Sequence, residues 1–136
     1  MGLSPHYRGS SCNFWAMYDS NPAMVGATIH LLTHGLDSGP ILRHALPTLG
    51  NEDPFGFTMK AVVAAFDAIL ETLKNSDWRD LSGVPQDKSL ELRYTRNSDF
   101  TDEVAADFLH RDVDNDALQK LLATSAPPNL LNPVRH

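Results

Sequence analysis

Between residues 54 and 75 apolar side chains recur every three or four positions: Phe55, Met59, Val62, Phe66, Ile69 and Leu73. That spacing gathers them into one stripe of an α-helix, and such a stripe predicts a helix that buries it in a core. Asp53 before Pro54 marks the start, because proline suits the first turn and aspartate can accept its free N–H groups. Thr101 can cap a second helix carrying Val104, Phe108 and Leu109, and Asn115 a third carrying Leu118, Leu121 and Leu122. Near the N-terminus, Phe14, Trp15 and Tyr18 stand at helical spacing behind Ser11, a further possible cap.

The period changes elsewhere. "GATIHLL", residues 26–32, is a near-continuous apolar run with β-branched Thr28 and Ile29, which predicts a buried strand. "ILRHALPTL", residues 41–49, alternates, with Ile41, Arg43 and Ala45 on one side and Leu42 and His44 on the other; Pro47 ends or edges that strand. "SLELRYT", residues 89–95, is a short alternating strand. Residues 1–10, with Pro5, Gly2 and Gly9, read as loop. The expected organisation is one α/β unit over residues 1–124, followed by an extended Pro-rich tail over 125–136.

Composition narrows the class. A length of 136 residues, 42% hydrophobic and 21% charged, is that of a single globular domain with a real core rather than a disordered or fibrous chain. The formal net charge of −6, with no Lys/Arg run, argues against nucleic acid as a partner, since phosphate binding needs a basic face. A single cysteine, Cys12, cannot form an internal disulfide and fits a reducing compartment. No stretch approaches the roughly 20 apolar residues of a membrane span, so a cytoplasmic protein without membrane contact is expected.

Three clusters could carry chemistry. His30 and His34 have a zinc-like spacing if helical, but they fall in a β-rich segment, where four residues span about 13 Å. "DVDND", residues 112–116, resembles the start of a calcium loop, yet Ala117 and Ala123 stand where glycine and glutamate are needed; the acidic start of a helix explains it better. No metal is expected. The third cluster is "LLTHGLDSGPI", residues 31–41, which sets Asp37 between Gly35 and Gly39 just past the strand's C-terminal end. Asp-Ser-Gly is ordinary turn chemistry, but strand ends are also where open α/β sheets gather ligands. His30 in the apolar strand needs a polar partner, and Arg8 could bring a cation to the same region. Both readings of Asp37 stay open on the residues alone.

Two blocks weigh on that choice. "LSPHYRG" and "VGATIHLLTHGLDSGPI", within "GLSPHYRGSSCNFWAMYDSNPAMVGATIHLLTHGLDSGPIL", resemble the second half of the folate-dependent formyltransferase domain. The likeness is close over residues 2–46 and looser through the helix of residues 54–75. It implies a Rossmann-like, three-layer α/β/α fold, of which this chain is the C-terminal part with C-terminal helices. It implies one-carbon transfer from 10-formyltetrahydrofolate to a primary amine, an amino sugar or other small metabolite. By position, Asp37 matches the family's catalytic carboxylate. His30, Leu32, Thr33, His34 and Gly35 match residues bordering the folate, while Tyr7 and Arg8 match the loop nearer the acceptor amine.

The chain departs from the pattern at one point. The family's Asn-x-His pair, which holds the oxyanion and its proton, should stand directly before "MGLSP", and the sequence begins at that Met. The expectation is a chain truncated before the catalytic pair and inactive alone. A parallel sheet cut through its middle would expose an apolar edge, so a homo-oligomer or a partner covering that edge is expected. Two other readings share the same blocks: a non-catalytic interaction module that kept the fold, and a formyltetrahydrofolate hydrolase, although "YRGSSCNFW" is closer to the transferases.

Overall fold

The computed structural model describes residues 2–35, 37–77, 79–125 and 129–135. The expected start at Met1 and the prolines Pro127 and Pro128 of the tail lie outside the described residues. In chain order the elements are β1 (Tyr7–Gly9), α1 (Cys12–Tyr18), β2 (Ala27–His30), β3 (Ile41–Leu46), α2 (Pro54–Asn75), β4 (Arg93–Thr95), α3 (Asp102–His110), α4 (Asn115–Thr124) and β5 (Val134–Arg135). The fold is α/β, as expected. Its strands fall into two sheets: β2-β3-β5 with β3 central, and the pair β1-β4.

β2 and β3 run antiparallel, with Ala27 opposite Ala45 and Ile29 opposite Arg43, and β5 adds parallel to β3. The all-parallel sheet behind the edge argument is therefore not what forms: residues 31–40 are too short a link for a parallel crossover. β2 remains an outer strand, and Thr28 on it ties the N-terminal segment to the sheet: its hydroxyl donates to Gly2 O at 2.8 Å and accepts from Ser4 N at 2.8 Å. β1, read from sequence as loop, pairs parallel with β4. Gly9 permits it, with φ of 89° and a backbone so close to Thr95 O that a Cβ would lie 1.9 Å away.

Capping follows the sequence in part. Asp53 accepts from Gly56 N at 2.7 Å and Thr101 from Val104 N at 3.3 Å, as expected. Asp114 rather than Asn115 caps α4, accepting from Ala117 N; the amide of Asn115 instead donates to Gly50 O and Glu52 O. Ser11 stands at the N-cap of α1 but makes no side-chain cap bond, because it adopts a left-handed conformation with φ of 53°.

The largest correction concerns α2. Its buried residues are Phe57, Ala61, Ala64, Ala65 and Ala68, and the stripe from Phe55 to Leu73 faces outward. The helix has two apolar faces. Alanines let it approach the sheet closely, where Ala64 and Ala68 pack with Ala45 and, at the margin, Ile29 and Val134. The spacing rule registers the larger side chains, and the sheet accommodates the smaller ones.

On the opposite side of β3, His44 is buried and joins three parts of the chain. Its Nε2 donates to Ser4 O at 2.7 Å and its Nδ1 accepts from Leu131 N at 2.9 Å. Both nitrogens are thereby assigned, and the ring is neutral. Burial, its main cause, pushes the His44 pKa below the usual histidine value. The principal core gathers Leu3, Trp15, Met24, Leu46, Phe57 and Leu118 around α1. There the Arg93 guanidinium lies 3.9 Å above the Trp15 ring and pairs with Asp19.

Candidate functional site

β2 ends at His30, and the chain turns through residues 31–40 back into β3. Leu31 N donates to Pro40 O at 3.0 Å and closes the turn. Gly39 sits against the Leu31 carbonyl so tightly that a Cβ would lie 1.7 Å from its oxygen. Glycine is therefore required there. Gly35 is under less constraint, because its nearest obstacle is the movable Ser38 hydroxyl. Asp37 adopts a left-handed conformation with φ of 50°, which short polar side chains tolerate better than most.

This turn brings the histidine and the carboxylate together. His30 Nε2 lies 3.9 Å from Asp37 Oδ1, with side chains 19% and 64% exposed. That separation exceeds a direct hydrogen bond but suits a single bridging donor. The tautomer follows from the other ring nitrogen. Nδ1 is 3.0 Å from Leu31 O, a group that only accepts, so Nδ1 carries the proton. In the neutral ring, Nε2 then presents a lone pair beside a carboxylate. Two acceptors so placed can receive a water, an amine or an ammonium group that donates to both. Alternatively, Nε2 takes up a proton itself and pairs with Asp37.

A small concavity of about 70 Å³ opens beside Asp37, lined also by Ser4, Tyr7, Arg8, Cys12 and Thr28. Arg8 gives its Nη1 to Glu91 at 3.1 Å, while its buried Nε has no hydrogen-bond partner. The Tyr7 hydroxyl is committed to Asp19 at 3.1 Å; burial, with Asp19 adding to it, pushes its pKa up to about 12, so the phenol stays neutral. The Cys12 thiol is likewise pushed up by burial. The structure thus brings Tyr7, Arg8 and Asp37 to one concavity and His30 to Asp37. It does not bring Leu32, Thr33, His34 and Gly35 with them: all four are exposed on the turn, Leu32 at 93%, and none lines that concavity.

One contributor escaped the sequence reading. The Gln86 amide donates to Asp37 O at 3.1 Å and Gly39 O at 2.8 Å, and its Oε1 accepts from the Ser4 hydroxyl. It ties the turn to the N-terminal segment across a long stretch of sequence, and no local pattern marks it. Among the described residues no three His, Cys, Asp or Glu side chains are grouped to hold a metal ion. No described helix is long and apolar enough to cross a membrane.

An imidazole and a carboxylate at the end of a strand, beside a cleft with an arginine and hydroxyls, define an α/β site suited to moving a proton on a polar substrate. No protein-family model matches the chain. Over 90 residues, 65% of its length, the chain is 31% identical to methionyl-tRNA formyltransferase of Trichodesmium erythraeum (strain IMS101). The match covers 26% of that protein, so the chain spans about a quarter of the relative's length. The similarity is thus a partial one, to a formyltransferase.

Proposed function

We propose that these residues form part of a formyl-transfer site, in which a primary amine attacks the formyl carbon of 10-formyltetrahydrofolate. The observation that carries this reading is the His30–Asp37 pair, set at the close of a block whose sequence resembles that of the formyltransferases. An attacking amine must lose a proton as its nitrogen bonds to carbon, and the formyl oxygen gains negative charge. Two acceptors 3.9 Å apart can orient the amine's N–H groups and receive that proton, which is returned to N10 as the formyl C–N10 bond breaks and tetrahydrofolate leaves. The folate would lie along the turn of residues 32–35, and Arg8 and Tyr7 would stand nearer the acceptor. The oxyanion donors of an Asn-x-His pair are not found within residues 1–136, so these residues alone are expected to bind without measurable turnover.

The test is titration of the protein with a non-labile 10-formyl folate analogue, followed by NMR. Shifts are expected at His30 and across residues 32–41, with binding weakened about tenfold or more in Asp37→Ala. Saturating analogue that leaves His30 and the turn unperturbed would overturn the proposal.

A further inference from the structure

The outward face of α2 carries Phe55, Met59, Val62, Phe66, Ile69 and Leu73, at intervals of four, three, four, three and four residues. This is the 3.5-residue repeat of a helix that pairs with another helix. Val63 and Leu70 widen the stripe on one side. The helix's charged residues, Lys60, Asp67, Glu71 and Lys74, all lie off it, with Lys60 held by Glu52 and Glu71 by Arg43. Phe55 is 72% and Phe66 62% exposed. At its N-terminal end the stripe runs into an apolar groove of about 480 Å³, shared with Phe100, Phe108 and Leu109.

We propose that this face is the interface of an antiparallel homodimer, in which α2 packs against α2 of a second copy about a two-fold axis near Ala64. Area and complementarity favour a second copy. The exposed stripe offers on the order of 700 Å², close to the roughly 800 Å² that one partner contributes to an ordinary specific interface. That is more than a lone soluble chain usually leaves bare. Turned about Ala64, the stripe meets itself with large against smaller residues: Phe55 opposite Leu73, Met59 opposite Ile69, Phe66 opposite Val62. In the same register Leu70 falls opposite Thr58. An isologous contact of this kind closes on itself and leaves no surface for further growth.

Sedimentation velocity of the full chain across a concentration series should show a monomer–dimer equilibrium. Phe66→Glu should weaken it by at least about thirtyfold, since two buried charges enter each dimer. Leu73→Glu is a second variant; both positions are exposed, and unchanged far-UV circular dichroism confirms that each variant folds. A short bis-maleimide should cross-link Val63→Cys, which lies near the axis in the antiparallel pair, but not Leu73→Cys. A monomer at every concentration would assign the stripe to some other chain and overturn the proposal. So would a dimer indifferent to both glutamates, or cross-linking through position 73 in place of 63.

Discussion

Three single positions govern the site, its support and the pH response. Gly39 is fixed by the Leu31 carbonyl, which also holds His30 Nδ1. Gly39→Ala is expected to cost about 1–3 kcal/mol in denaturant unfolding, through overpacking against backbone. The same variant should change the imidazole's NMR signature, because the bond that sets its tautomer is disturbed. Gln86→Ala should leave the core intact yet loosen residues 37–39, seen as faster amide exchange there. His44 contributes to the pH response. Its folded pKa lies below its unfolded value of about 6.5. As pH falls through that value, the unfolded chain takes up a proton that the folded chain refuses, so stability present above it is lost. Denaturation midpoints should therefore drop between pH 7.5 and 5.5, and His44→Phe should flatten that slope. The variant itself should cost about 2–4 kcal/mol, because Leu131 N–H and Ser4 C=O would be left without partners. At this scale the sequence marked Asp37, His30 and Arg8 through their types and positions. It was silent on Gln86, whose contacts are tertiary.

Among the elements, α2 shows what periodicity can and cannot say. The helix and its Asp53–Pro54 start were legible because capping and spacing are local properties. The face it buries was not, because that depends on how close the sheet lies. Ala68 makes the point: it is fully buried beside Ala45 and Ala64. Ala68→Leu is expected to destabilise by about 1–3 kcal/mol, since methylenes would be forced between helix and sheet. Phe66→Ala, measured where the chain is monomeric, should change stability by less than about 0.5 kcal/mol. The opposite ordering would return the large stripe to the core. β3 was legible for the same local reason: its alternation places Arg43 and Ala45 toward α2 and His44 away from it. β1 was hidden, because three residues ending in glycine carry no period, and only β4, far along the chain, makes them a strand.

Taken as a whole, the molecule is held together by contacts between its distant segments. β5 pairs with β3, Leu131 exchanges bonds with His44, and Leu130 packs on the main core. Deleting residues 129–136 should therefore lower the denaturation midpoint and abolish the protection of the His44 amide from exchange. Arg93 over Trp15 has another consequence. β4 reaches the core through a cation resting on an indole, so any local release of residues 88–95 changes the electronic surroundings of that chromophore. With Trp78 replaced by phenylalanine, the protein's tryptophan emission, excited at the red edge of the absorption band where tyrosine does not absorb, would come from Trp15 alone. It would then be a built-in optical gauge of whether β1 and β4 are joined, readable without any attached dye.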